Sequence, residues 1–179
     1  MSELARPRQP DPYEMLPPVD AFTVVSDDLT EGGTVPDSAV EAKGNTSPQL
    51  SWSGFPEQTK SFAITVFDPD APTPSGFWHW AVANLPASVT SLPAGAGSAG
   101  VDLPAGACTL RNEHGEPAFA GAAPPPGDVE HRYYFVVHAV DVERLELTPD
   151  QSPTVLSFML SSHTLARAVL VATYAEPAG

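Results

Sequence analysis

Two aspartates, two histidines and a tyrosine sit at the ends of apolar segments, where folding could bring them to one place. Asp68 and Asp70 bracket Pro69 just after the run Ser61–Phe67, and His79 lies beside Phe77, Trp78 and Trp80. His131 and Tyr133 are two residues apart at the start of another apolar run, so in a strand both point to the same face. If the three strand ends are neighbours, two carboxylates, two imidazoles and a phenol converge at one rim. Pro72, Pro124, Pro125 and Pro126 would stiffen its walls.

Such a set has more than one chemical use. A carboxylate beside a histidine raises the imidazole pKa and fixes its tautomer, leaving the second ring nitrogen to donate to an anion. Two histidines, a tyrosine and turn N–H groups could bind a phosphate-like group together. The same Asp and His residues are acceptable ligands for a divalent metal, although no H-x-H or H-E-x-x-H spacing occurs. With Ser47 or Ser75 they could serve a hydrolase as acid and base, although there is no G-x-S-x-G elbow. Taken singly, each histidine also fits a half-buried strand-end role, and Asp68 and Asp70 fit as turn formers.

The charge balance narrows the partners. The 22 Asp+Glu against 8 Lys+Arg give a net charge of −14 over 179 residues. Nucleic-acid binding needs clustered Lys and Arg, and anionic bilayers attract basic segments, so neither partner is expected. No Lys or Arg occurs between Lys60 and Arg111. Any fixed cation beside the Asp68–His79 segment therefore comes from elsewhere in the chain, and Arg132 alternates to the face opposite His131. Cys108 is alone, which leaves no intramolecular disulfide and no cysteine metal site. No secretory signal pattern and no apolar run long enough to span a membrane is visible, so a cytoplasmic location is expected.

The elements that would position these residues are mostly strands. Residues 1–20 hold five of the 21 prolines and read as an extended arm that wraps over the domain or a partner. A single domain is expected over 21–175, with a short tail at 176–179. Ala21–Ser26, Gln49–Trp52, Ser61–Phe67, Phe77–Leu85, His131–Val142 and Ala166–Tyr174 read as strands. Ser61–Phe67 is apolar on both faces, which predicts a central, doubly covered strand. The stretch 87–130 is too long for a structureless loop, so short strands are expected within it, one near Thr109–Asn112. Gly121–Asp128 reads as a rigid exposed wall. Ser152-Pro153 supplies an N-cap and an N1 proline for a short helix over about 153–162. The fold class is therefore mainly β with minor α: an antiparallel sheet with small helical additions. His138 is expected to be packed mid-strand, His163 to suit a helix C-terminus, and His114 to be solvated.

Several motifs in consistent order resemble the phosphatidylethanolamine-binding protein (PEBP) family. They are Asp68-Pro69-Asp70-Ala71-Pro72 followed by Gly76-Phe77-Trp78-His79-Trp80, Asn45–Trp52, Gly121–Pro125, His131-Arg132-Tyr133 and Ser162–Ala168. Within the family the chain is similar to the bacterial and archaeal Raf-kinase-inhibitor-like branch, over about Ala21 to Tyr174. The resemblance implies a central antiparallel sheet flanked by a smaller sheet and short helices. It implies a pocket for phosphate, acetate or a phospholipid headgroup, lined by Asp68, Asp70, Pro72, His79, Ala123, Pro124, His131 and Tyr133. It also implies a non-enzymatic, regulatory binding protein, an inhibitor of a kinase or serine protease, with no cofactor and with homodimers among its relatives. Ala123 stands where some members carry glycine. No counterpart of the mammalian C-terminal helix follows Tyr174, which leaves the pocket mouth open or covered by a second subunit.

Overall fold

The computed structural model describes residues 6–179. Among the described residues, nine strands and one α-helix follow in chain order: β1 (Asp20–Ala21), β2 (Thr23–Val25), β3 (Leu50–Ser53), β4 (Ser61–Asp68), β5 (Phe77–Pro86), β6 (Ser91–Leu92), β7 (Cys108–Thr109), β8 (His131–Val140), α1 (Pro153–His163) and β9 (Thr164–Tyr174). A 3-10 turn at Asp37–Ala39, which no sequence signal marked, precedes β3. The larger sheet has the order β1-β9-β8-β4-β5-β7, and the smaller has β2-β3-β6.

The expected strand at Ala21–Ser26 is split between the sheets. Asp20–Ala21 pairs with β9 and Thr23–Val25 pairs with β3. The β1–β9 pairing is parallel, so the larger sheet is mixed and its antiparallel character is confined to the other strand pairs.

β4 lies between β5 and β8, as its two apolar faces require. Phe62, Ile64 and Val66 turn toward the smaller sheet and pack in one core with Leu50, Trp52, Trp80 and Phe135. Ala63 turns the other way and joins Ala81, Ala83, Leu156 and Leu160 in a second core beneath α1. Small alanines on this face let the helix approach the sheet closely, while the large side chains fill the space between sheets. α1 starts at Pro153, whose fixed φ suits a first helical position. Ser152 occupies the N-cap but makes no side-chain capping bond.

The arm runs along the remaining part of the larger sheet. The Tyr13 ring lies 5.9 Å from Tyr134 and 6.2 Å from His138, with the Arg167 guanidinium 5.0 Å from its centroid. This is the face of β8 that carries Arg132, Tyr134 and His138, opposite to His131 and Tyr133. Within 87–130 the strands are the two-residue β6 and β7, with one further bridge from Val40 to Ala122. Gly121–Asp128 is only partly an exposed wall, because Gly121, Ala122, Pro124 and Asp128 are buried. Gly121 faces the 39–41 backbone so closely that an added Cβ would lie 2.5 Å from the Glu41 nitrogen, which pins this segment to the domain.

Candidate functional site

The antiparallel pairings of β4 with β5 and β8 bring the end of β4 beside the starts of the other two. Asp68 is opposite Phe77, and Phe67 is opposite Tyr134. Three segments far apart in sequence thus meet at one end of the sheet. Gly76 makes the entry to β5 possible. It has φ +65°, and a Cβ there would lie 2.5 Å from the Phe67 ring and 2.7 Å from the Asp68 carbonyl.

A pocket of about 240 Å³ opens at this end, lined by Asp68, Ala71, Pro72, Thr73, Phe77, His79, His114, Ala123, Pro125 and His131. Of the eight residues expected there, Asp68, Pro72, His79, Ala123 and His131 form its walls. Asp70, Pro124 and Tyr133 do not. The adjacent Pro125 lines the wall in place of Pro124. Neither Ser47 nor Ser75 is among the lining residues: the Ser47 hydroxyl accepts from the Gly97 N–H, and Ser75 is exposed. Among the described residues no group of three or more His, Cys, Asp or Glu is arranged to hold a metal ion.

Asp68 and His131 form the base of the site. Asp68 is 2% exposed and His131 is 1% exposed. The His131 Nδ1–H donates to Asp68 Oδ2 at 2.7 Å, and the Asp70 backbone N–H donates to Asp68 Oδ1 at 2.8 Å. Nε2 of His131 is 3.1 Å from Asp128 Oδ2, so the imidazole lies between two carboxylates. Burial acts to lower its pKa, but the hydrogen bonds and charges of Asp68 and Asp128 outweigh burial, and the pKa is raised. The raised pKa favours the protonated ring, whose two N–H groups face Asp68 and Asp128 and leave no spare donor for the pocket.

His79 is held in the opposite state. Its Nδ1–H donates to the Ala120 carbonyl at 2.9 Å, which fixes the tautomer and leaves Nε2 as the nitrogen it can offer a ligand. Burial pushes its pKa down to about 4 against a smaller upward pull from Asp68. The two histidines of one pocket are therefore shifted in opposite directions, His131 up and His79 down. Tyr133 stands behind His79, edge-on with ring centroids 5.2 Å apart, in a closed recess with no room for a water molecule. Its hydroxyl is buried without a hydrogen-bond partner among the described residues, and burial followed by the Asp68 charge raises its pKa.

Asp70 is drawn away by Arg132. The Arg132 Nε–H donates to Asp70 Oδ2 at 2.7 Å and Nη2–H to Oδ1 at 2.9 Å, on the face that alternation assigns to Arg132. The Gln9 N–H of the arm also donates to Asp70 Oδ1 at 3.2 Å. His114 is exposed, as expected, and also forms part of the pocket wall. Phe77 is sandwiched between the rings of His79 and His114, at 4.8 and 5.1 Å, and His114 Nε2 pairs with Glu41 Oε1 at 3.0 Å. The chain spacing of His114 gave no sign of this, because its place depends on the 37–44 loop folding across. His138 is packed as expected, with Nε2 3.0 Å from Thr65 Oγ1, and His163 ends α1 beside Asp141.

Arg6 is the residue that sequence reading missed. Its Nε–H and Nη2–H donate to the two oxygens of Asp128 at 3.1 and 2.6 Å, and Nη2 also bonds the Asp70 carbonyl. The same nitrogen lies 3.2 Å from His131 Nε2. Each buried carboxylate of this region thus has its own cation: Asp68 with His131, Asp70 with Arg132, Asp128 with Arg6. Arg6 holds the Asp128 carboxyl down at about 2. The only available signal was the absence of Lys and Arg near Asp68 combined with two arginines in the arm.

Comparison with known proteins places this geometry in context. Residues 25–175 match the family model described as phosphatidylethanolamine-binding protein. UPF0098 protein YbcL of Escherichia coli is 46% identical over 160 residues, covering 86% of this chain and 87% of that protein. UPF0098 protein YbhB of the same organism is 43% identical, covering 84% and 98%. The crystal structure of E. coli YbcL, described as a new member of the mammalian PEBP family, superposes with a TM-score of 0.84 at 45% identity, covering 86% of this chain and 98% of that one. A PEBP homologue of Chlamydia trachomatis gives 0.73 at 29% identity, covering 88% and 99%.

Proposed function

The chain belongs to the phosphatidylethanolamine-binding protein family, and from that premise we propose that its pocket binds one small oxyanion, a phosphate, a carboxylate or a phospho-headgroup. The observation that carries this reading is the split pair of histidines across one pocket. His131 lies between Asp68 and Asp128, which favour its protonated form, and His79 offers an unprotonated Nε2. The pocket of about 240 Å³ has room for phosphate or acetate and for a short headgroup extension.

The chemistry sets the protonation of the complex. A neutral imidazole Nε2 accepts a hydrogen bond and cannot donate one. A bound oxyanion therefore either carries its own proton to Nε2 or raises the His79 pKa from about 4 until the ring is charged. In the first case only the protonated anion binds, and in the second the complex takes up a proton, so in both affinity rises as pH falls from neutrality.

Binding without turnover is the role assigned, with regulation of a protein kinase or serine protease as its output. Neither serine that could act as nucleophile lines the pocket, and the His131 nitrogens already face carboxylates. Calorimetric titration with inorganic phosphate, acetate and phosphoethanolamine tests the reading. Saturable binding that His79→Ala abolishes supports it. Binding unaffected by His79→Ala, or none at all by the folded wild-type chain, refutes it.

A further inference from the structure

We propose that Arg6 of the N-terminal arm is the specificity-determining residue of the pocket, supplying the positive charge that makes its rim acceptable to an anion. The inference rests on the oxyanion-binding reading above. It follows from charge counting at His131. Asp68 lies 2.7 Å from one ring nitrogen and Asp128 lies 3.1 Å from the other. Two carboxylates against one imidazolium leave a net negative charge beside the pocket, and no Lys or Arg lines the pocket itself. Arg6 cancels that charge through a two-point contact with Asp128, whose side chain is fully buried. The third buried acid, Asp70, is already matched by Arg132, so Arg132 cannot serve Asp128 as well.

The arm is built to deliver this residue. Gln9 accepts from Arg132 through its carbonyl at 2.6 Å and donates to Asp70 through its N–H at 3.2 Å. Arg8 pairs with Glu130 at 3.0 Å, and Tyr13 rests on Tyr134 and Arg167. These contacts hold the chain that follows Arg6 against β8 and the Asp70 turn, and the Arg6 guanidinium reaches to 3.2 Å from His131 Nε2. The Arg6 side chain remains 24% exposed, so its field reaches the pocket through partly solvated space.

The size of the effect follows from electrostatics. At an effective dielectric near 20, a unit charge several ångströms from an anion changes binding by roughly one to two powers of ten, and the partial exposure of Arg6 places the expectation at about tenfold. Coupling is reciprocal, so a bound anion must also tighten the arm.

The test is inorganic phosphate binding by the full chain in three forms: wild type, Arg6→Gln and Arg6→Lys. The expected result is a loss of about tenfold or more in Arg6→Gln with most affinity restored in Arg6→Lys, and a higher His131 pKa in Arg6→Gln as the neighbouring cation is lost. Phosphate should also slow amide exchange in residues 6–13 of the wild type. Wild type and Arg6→Gln binding phosphate equally would overturn the role of Arg6 and leave the pocket reading standing. Tighter binding by Arg6→Gln would make the arm a plug and overturn the proposal too. No binding by any form, with the fold intact, would remove both the pocket reading and this one.

Discussion

Asp68 holds His131 through a single 2.7 Å hydrogen bond from Nδ1, and the pair is almost completely buried at the end of the central strand. This contact joins the exit of β4 to the start of β8, so the same bond closes the sheet end and charges the pocket. Burial alone would make His131 neutral, and the two flanking carboxylates reverse that.

Asp68→Asn should therefore lower the His131 pKa, because burial then acts against a weaker opposing field. Removing one partner of a buried pair should also destabilise the fold by about 3 kcal/mol. Imidazole chemical shifts followed across pH would report the first effect and urea unfolding the second. An unchanged His131 titration would mean that Asp128 alone sets its charge.

Two buried neutral histidines predict acid sensitivity. Burial holds His79 at about 4, and burial aided by the Arg167 charge holds His138 at about 3, both below the ordinary 6.5. Between pH 6.5 and these values the unfolded chain binds protons that the native chain does not, so stability falls as pH falls. For His79 the loss is on the order of 3 kcal/mol by pH 4. His131 works in the other direction: its raised pKa adds stability that is full below 6.5 and lost as pH rises through the folded value. Denaturant unfolding at pH 7, 6 and 5 should show a steep acid-side decline, shallower in His79→Gln. An identical slope in the variant would show that His79 does not titrate on unfolding.

Tyr133→Phe separates stability from binding. The lost hydroxyl has no partner among the described residues, so stability should hold or rise by up to about 1 kcal/mol. Phosphate affinity should stay within about twofold of wild type, because Tyr133 lies behind His79 and does not line the pocket. A severalfold loss of affinity would show that Tyr133 acts on the ligand through His79 rather than only packing behind it.

Much of this was legible in the residues. The alternation in Ser61–Phe67 gave the central strand, since Phe62, Ile64 and Val66 do share one core face. Spacing also put His131 and Tyr133 on one face and Arg132 on the other. Pairing partners were less legible: the parallel β1–β9 contact depends on two residues that carry no pattern of their own. The site divided in the same way. Motifs marked five of the lining residues, but Asp70 left the pocket because Arg132 outcompetes it, and His114 entered through a loop contact with Glu41. Arg6 lies more than 120 residues from the acid it pairs with, a distance that local patterns do not cover.

Gly76→Ala tests how strictly the backbone sets the site. An added Cβ would press on the Phe67 ring and the Asp68 carbonyl at 2.5 and 2.7 Å, at a φ of +65° that alanine disfavours. A destabilisation of about 2 kcal/mol or more is expected, together with weaker phosphate binding as Asp68 is displaced. Thermal unfolding and phosphate titration would measure both, and a neutral outcome would mean that the β4–β5 connection relaxes without moving Asp68.

The most direct test of the account is the His79 Nε2 resonance in chain labelled with nitrogen-15, titrated with inorganic phosphate near pH 6. The account predicts a saturable shift as Nε2 gains a hydrogen bond or a proton. A His79 signal that stays in its unliganded position at saturating phosphate, in a chain that remains folded, would contradict it.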